Sequence, residues 1–154
     1  MSVYSPRGQF KKWFPRSAAN MTSIKLTSPI DGYYNCVAWA LQITNRWMQP
    51  VDHPVLVSYW PVPREGTTVA AYSKMFQHYQ FVECDDGQLE IGYEKIVIYG
   101  NATSKFTHVA RQLADGKWTS KIGGESDITH HDPDTLTSKL YGYPQLYMKR
   151  PIKA

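Results

Sequence analysis

The stretch FTHVARQLADGKWTSKIG, residues 106–123, decides the fold. Two runs typical of β-strands flank Asp115 and Gly116, and Asp-Gly is a strong signal for a two-residue hairpin turn. Working outward, EKIVIYG at 94–100 and YPQLYMKRP at 143–151 also have the composition of strands. The sequence therefore predicts a sheet built from strands that are mostly antiparallel.

The hairpin also determines which polar side chains share a face with His108. With a regular two-residue turn, Thr119 and Lys121 lie on the His108 face of the sheet. Ser120 then points away from His108, unless a β-bulge shifts the pairing by one residue.

Two helices are expected before this sheet. Apolar residues at helical spacing predict a first helix from Asn35, a suitable N-cap, to about Met48. Thr67 or Thr68 caps a second helix, which runs to about Tyr79. Helices followed by mostly antiparallel strands predict an α+β fold.

The length of 154 residues and the aromatic content of 14% fit a single globular domain over 1–154. We expect residues 1–34 to form an irregular segment that wraps a catalytic-like core over 35–154. We find no internal repeat.

Charge and composition limit which classes of partner and which cellular compartment we expect. The formal net charge of +4 is modest and scattered, which argues against nucleic acid as a partner. The sequence shows neither a secretory signal nor a stretch long enough to cross a bilayer, so no membrane partner is expected. Two cysteines do not make a disulfide framework, and we expect a cytoplasmic chain. Export by a dedicated secretion system is the alternative.

Cys36 is the candidate nucleophile. It falls on the first turn of the predicted helix, where free N–H groups and the helix dipole lower the pKa of a thiol. Backbone N–H groups of Asn35 and Cys36 can hold an oxyanion at the same place. A nucleophilic cysteine also needs a base, and His108 begins a rigid strand that can fix an imidazole.

Three segments in this order resemble the core of papain-like cysteine peptidases and amidases of the NlpC and CHAP type: NCVAWAL at 35–41, EKIVIYG at 94–100 and THVARQLADGKW at 107–118. The resemblance implies a papain-like fold, in which a nucleophile helix packs on a small, mostly antiparallel sheet. It implies Cys36 as nucleophile and His108 as base. The same segments also look like an uncharacterised bacterial domain family with this Cys and His pattern, from which no activity follows.

The resemblance further implies a polar third residue, usually a histidine, on the strand after the hairpin turn. Residues 118–123 contain no His, Asn, Asp or Glu. Asp127, just beyond, is our first choice to orient the His108 imidazole. Ser120 is the alternative, and a dyad without a third member also fits.

Each candidate has a structural interpretation beside the functional one. Free cysteines are often buried, and Cys84 is expected to be a core or edge residue. The polar loop over 124–134 holds metal-ligating residue types, but adjacent His130 and His131 on an extended chain point opposite ways, so we expect no metal and no cofactor. Arg111 could bind a substrate carboxylate, or simply face solvent from its strand.

The leading hypothesis is a thiol hydrolase that cleaves an amide bond in a protein, a peptide or a peptidoglycan stem through an acyl-enzyme. A cysteine-dependent protein deamidase or acyltransferase, acting as an effector or toxin, uses the same chemistry. A non-catalytic binding module on the same fold is the third hypothesis.

Overall fold

The computed structural model describes residues 25–26, 33–122 and 127–153. The strands in these ranges are, in chain order, β1 (Lys25–Leu26), β2 (Trp47–Met48), β3 (Ser58–Tyr59), β4 (Val82–Cys84), β5 (Tyr93–Gly100), β6 (Phe106–Gln112), β7 (Trp118–Lys121), β8 (Asp127–His130) and β9 (Tyr143–Pro151). The helices are α1 (Cys36–Ala40), α2 (Val69–His78) and one 3-10 turn (Pro133–Leu136).

A seven-stranded sheet in the order β1-β8-β7-β6-β5-β9-β4 forms the centre of the fold. All of its neighbouring strands pair antiparallel, while β2 and β3 form a separate parallel pair. The predicted α+β class with a mostly antiparallel sheet is thus confirmed. The strand predicted over 143–151 is also confirmed with the same bounds.

The turn between β6 and β7 differs from the predicted one, because it contains three residues rather than two. The Leu113 N–H donates to the Lys117 carbonyl at 2.7 Å, and the Gly116 N–H donates to the Leu113 carbonyl at 2.9 Å. Gly116 takes φ of 88°, the left-handed conformation that the third residue of such a loop requires. The extra residue shifts the strand register by one.

That shift reverses the faces of β7. Ser120 lies on the His108 side of the sheet, with its hydroxyl 2.9 Å from the imidazole. The predicted placement of Thr119 and Lys121 on that face is wrong: Thr119 accepts a hydrogen bond from Trp39 of α1, and Lys121 lies over the Tyr34 ring. A slip of one residue moves every side chain of a strand to the other face.

Helix α1 is much shorter than the predicted span of 35–48. Gln42 adopts φ of 62°, the Gln42 N–H donates to the Trp39 carbonyl, and the Ile43 N–H donates to the Ala38 carbonyl. These bonds form a Schellman motif, which ends the helix at Ala40. Glycine usually occupies the left-handed position, so the sequence gives no warning of this end.

Helix α2 matches its predicted span closely. The Thr68 hydroxyl accepts from the Ala71 N–H at 3.1 Å, which confirms Thr68 as the N-cap. The helix ends at His78, one residue before the predicted end at Tyr79.

Two apolar clusters lie on the two sides of the sheet. The first packs α1 and α2 against side chains of the central strands, including Ile98 and Val109. The second contains the alternate residues of those strands, including Tyr99 and Ala110, together with Tyr141 from the segment before β9. Successive residues of β6 therefore point alternately into the two clusters.

Two predicted irregular segments contribute strands. Residues Lys25–Leu26, inside the expected wrapping segment 1–34, form β1 and pair with β8. Residues Asp127–His130, inside the expected polar loop, form β8 and pair with β7. Residues 1–24, 27–32, 123–126 and 154 lie outside the described residues. Within the described ranges, no helix combines the length and the apolar character that a membrane span needs.

Candidate active site

The site lies where β6 separates from β7. Toward β5, the β6 ladder runs from Arg111 down to Phe106, with one irregularity at its end. Toward β7, the ladder consists of Arg111 opposite Thr119 and Gln112 opposite Trp118. Helix α1 packs against both strands at this opening.

Asn35 holds the start of α1 in place. Its Oδ1 accepts from the Ala38 N–H at 3.2 Å, as an N-cap, and from the Met48 N–H at 3.3 Å. Its Nδ2 donates to the Met48 carbonyl at 2.6 Å. The Asn35 side chain is thus committed to α1 and β2, so only its backbone remains for the oxyanion role we expected.

The Cys36 sulfur is surrounded by backbone donors. The N–H groups of Val109, Val37 and Cys36 itself hydrogen-bond this sulfur, which favours the thiolate. Burial acts in the opposite direction and is the larger effect, so the pKa of Cys36 rises to about 11. The expected lowering of the thiol pKa is therefore wrong for this resting structure, and α1, with five residues, is too short to reverse it.

The His108 imidazole begins a buried chain of hydrogen bonds. His108 Nε2 lies 2.9 Å from the Ser120 hydroxyl, and that hydroxyl lies 2.8 Å from His130 Nε2. His130 Nδ1 lies 2.9 Å from the Asp132 carbonyl oxygen. His108, Ser120 and His130 are all fully buried.

The direction of every hydrogen bond in this chain follows from its far end. A carbonyl only accepts, so the Nδ1–H of neutral His130 donates to Asp132 and leaves Nε2 as an acceptor. The Ser120 hydroxyl then donates to His130 and accepts from the Nε2–H of His108. His108 Nδ1 consequently carries a lone pair. It is buried and has no hydrogen-bond partner in the described part of the chain.

Both imidazoles are neutral near neutral pH. Burial lowers the pKa of His108 well below its usual value, and the neighbouring His130 adds to this effect. Burial also lowers the pKa of His130 to about 4, against the opposing influence of Asp132. The directed hydrogen-bond chain requires a neutral His130, because His130 Nε2 must accept from the Ser120 hydroxyl.

Cys36 and His108 approach the same short piece of β6 from different sides. The thiol accepts the N–H of Val109, the residue immediately after His108. Tyr141 stacks on the His108 ring with centroids 4.2 Å apart, and its pKa is raised by burial and also by nearby Cys36. No hydrogen bond joins Cys36 to His108 among the residues that the structure describes.

Asp127 is not brought to His108. Its Oδ2 accepts from the Tyr34 hydroxyl at 2.6 Å, on the α1 side of the sheet. The polar residue that does meet His108 is Ser120, the alternative third member. Asp127 pairs with Lys121 in the β7–β8 ladder. The side chains of paired residues lie on the same face of a sheet, so Asp127 lies on the face that points away from His108.

His130 is the residue of this site that sequence reasoning missed. We interpreted its segment as a solvated loop, whereas β8 places it opposite Trp118, on the face of Ser120. His131 points the other way and is exposed, as adjacent residues of an extended chain should. No group of metal-ligating side chains is found within the described ranges.

The chain was compared with models of known families. The family model described as Domain of unknown function (DUF7689) matches residues 25–149. The chain belongs to this family. No curated protein and no solved structure matches the chain.

The matched range of this family contains the whole candidate site. It begins with β1, includes α1 and the β6–β7 hairpin, and ends within β9. The site therefore belongs to the domain that defines the family and not to an addition at either end of the match.

Proposed function

We propose that the protein is a thiol hydrolase with a papain-like fold of the NlpC/CHAP type, which cleaves an amide bond in a peptide or a peptidoglycan stem. One observation carries the proposal: the lone pair of His108 Nδ1 is buried without a partner, and Val109, the next residue along β6, gives its amide N–H to the Cys36 thiol. An unsatisfied buried acceptor is costly, and such groups concentrate at functional sites.

The resting pair is neutral, so the thiol loses its proton during the attack. As Sγ of Cys36 bonds to the substrate carbonyl carbon, its proton passes to Nδ1 of His108, and the carbonyl electron pair moves to oxygen. Backbone N–H groups at the start of α1 stabilise that oxyanion. Catalytic hydrogen bonds that are absent before substrate binds often form in the substrate complex.

Collapse of the intermediate breaks the C–N bond and leaves a thioester on Cys36. The proton on His108 Nδ1 goes to the leaving amine. A water molecule then adds to the thioester carbonyl and gives its proton to Nδ1. When the C–S bond breaks, the acid is released and the proton returns to sulfur.

Ser120 and His130 are positioning residues in this mechanism. Their hydrogen bonds hold the Nε2–H tautomer of His108, which is the tautomer whose Nδ1 can accept a proton. When His108 becomes charged, Ser120 remains an acceptor for its Nε2–H. This replaces the role that we first gave to Asp127.

An activated ester such as p-nitrophenyl acetate tests the acyl-enzyme without a known substrate. We expect intact-protein and peptide mass spectrometry to find one acetyl group on Cys36. Cys36→Ala and His108→Gln should lose this labelling, while Cys84→Ala should keep it. Labelling that persists in His108→Gln would contradict the proposed base.

The reaction itself is tested with a peptide mixture and soluble peptidoglycan stems in heavy-oxygen water. We expect cleavage products whose new carboxylate carries the heavy isotope, with cleavage absent in Cys36→Ala. Release of ammonia without chain cleavage would assign the protein deamidase activity instead. Cleavage by Cys36→Ala at the wild-type rate would refute the nucleophile.

A further inference from the structure

A cavity lies at the carboxyl end of β6, beyond Val109, whose amide binds the Cys36 thiol. Its volume is about 310 Å³, and it lies where β5 begins and β6 ends. Its walls include Arg111, Gln42, Tyr93 and the loop residues Leu89 and Ile91. Cys36 does not line this cavity, so binding there can be tested separately from the thiol chemistry.

Arg111 is a cation without an anionic partner among the described residues that line this cavity. Its Nε–H is buried and donates no hydrogen bond, and its guanidinium has no ion pair within the described ranges. The guanidinium lies 5.4 Å from the centre of the Trp39 ring, which holds it from one side. An arginine keeps its charge when partly buried, so an anion is the group this environment lacks.

The acidic residues in the cavity wall are already paired with other groups. Glu94 accepts from Arg150 and from Gln42 Nε2, the latter at 3.2 Å. Glu90 accepts from Lys149 at 2.8 Å and lies 3.5 Å from Lys95. Burial lowers the pKa of Arg111, and nearby Glu94 opposes this effect without forming an ion pair with Arg111.

An apolar rim lies next to the arginine. Leu89, Ile91 and Ile152 line the cavity and are all exposed, Ile91 to 98%. An apolar group packed against these side chains would remove them from water. A cation at the wall and an apolar rim together fit a ligand that has a carboxylate at one end and a hydrocarbon group at the other.

We propose that this cavity binds an apolar carboxylic acid, with the carboxylate on Arg111 and the hydrocarbon on the Leu89–Ile91 rim. Arginine and carboxylate form paired N–H···O bonds that lysine cannot reproduce. Two sources share this chemistry: the free carboxyl terminus of a peptide that ends in an apolar residue, and a small free acid.

Calorimetric titration of the wild-type protein tests the site with N-acetyl-leucine and with its amide, N-acetyl-leucinamide. We expect the acid to bind and the amide to bind at least about tenfold more weakly, because only the acid can pair with the guanidinium. Equal affinity for the two probes, or no binding of the acid, would overturn the proposal.

Variants locate the site. Arg111→Gln should lose at least about tenfold in affinity for the acid, and Arg111→Lys should be intermediate. Lys117→Gln removes a cation from the turn of the same hairpin, outside the cavity, and should bind as the wild type does. Wild-type affinity in Arg111→Gln would refute the assignment.

A third titration distinguishes the sources of the carboxylate. A tripeptide that ends in leucine should bind more tightly than N-acetyl-leucine if the cavity takes a peptide terminus. Equal affinities would assign the site to a small acid. Cys36→Ala should bind these probes with the affinity of the wild type, because Cys36 does not line the cavity. The binding test therefore stands even if the hydrolase proposal fails.

Discussion

The two flanks of β6 differ in how they are held together. On the β5 side, backbone pairs run along the strand, and buried side chains such as Ile98 and Val109 pack beside them. On the β7 side, the ladder of backbone pairs stops after two pairs. Beyond it, a hydrogen bond between the side chains of His108 and Ser120 joins the two strands.

The two flanks of β6 therefore have different roles: the β5 flank stabilises the fold, and the β7 flank holds the candidate site. The β5 flank satisfies its backbone groups and buries apolar surface, so its residues mainly stabilise the fold. The β7 flank leaves room for the start of α1 and for polar side chains that can change protonation. Variants on the two flanks should therefore have different consequences.

The largest effect on stability is expected on the β5 flank. Ile98→Ala removes a fully buried side chain from the first cluster and should lower the free energy of unfolding by about 2–5 kcal/mol. Ile91→Ala is the matched control, since Ile91 is almost fully exposed and should change stability by no more than about 0.5 kcal/mol. Urea unfolding measures both, and equal effects would contradict the assignment of the core.

The buried histidines of the β7 flank, His108 and His130, should make the free energy of unfolding depend on pH. Below about pH 6.5, the unfolded chain takes up protons that the neutral folded imidazoles do not, so the unfolded state binds more protons. Stability should fall as the pH falls, by about 1.4 kcal/mol per pH unit for each histidine. For His130 this loss ends near pH 4, where the folded imidazole is itself protonated.

Adjacent residues provide the control for this pH dependence. His130→Gln should reduce the slope of unfolding free energy against pH between about pH 6.5 and about pH 4. His131→Gln should leave the slope unchanged, because His131 is exposed. A slope that both variants change equally would contradict a buried, neutral His130.

Ser120→Ala should have a smaller effect on stability and a clear effect on activity. It leaves the Nε2 atoms of His108 and His130 buried without a partner, which should cost about 1–3 kcal/mol of unfolding free energy. Acetylation of Cys36 by an activated ester should slow as well. Ser104→Ala, at an exposed serine, is the control, and slowing in that variant would implicate a general effect on the fold.

The smallest effect is expected at the turn that sets the register. Gly116→Ala meets no atom within 4 Å of the added carbon, so only the strain of a left-handed alanine remains. We expect a loss of about 1–2 kcal/mol, with the β6–β7 pairing unchanged. Cross-strand contacts in an NMR spectrum would reveal a slip to the two-residue register.

Sequence reasoning succeeded where the signal is local and strong. The apolar run of β5, the composition of β9 and the Thr68 cap each depend on neighbouring residues, and the structure agrees with them. It failed where one residue adopts a conformation that its type rarely takes. Gln42 ends α1 in a position that glycine usually fills.

The candidate site could be predicted from the sequence only in part, for a related reason. The choice of Cys36 and His108 as candidates rests on their positions in the chain, whereas the third member depends on whether the turn contains two residues or three. A difference of one residue at Asp115-Gly116 brings Ser120, rather than Thr119, to His108. His130 then follows only from the pairing of β8, which no local pattern specifies.

The tautomers of the two buried histidines provide the most direct test of the proposed base. Heteronuclear NMR of the imidazole nitrogens near neutral pH distinguishes the two neutral tautomers and the charged ring. We expect His108 to be neutral with its proton on Nε2, and His130 to be neutral with its proton on Nδ1. A proton on Nδ1 of His108, or a charged His108 ring, would contradict the claim that this residue is ready to accept the thiol proton of Cys36.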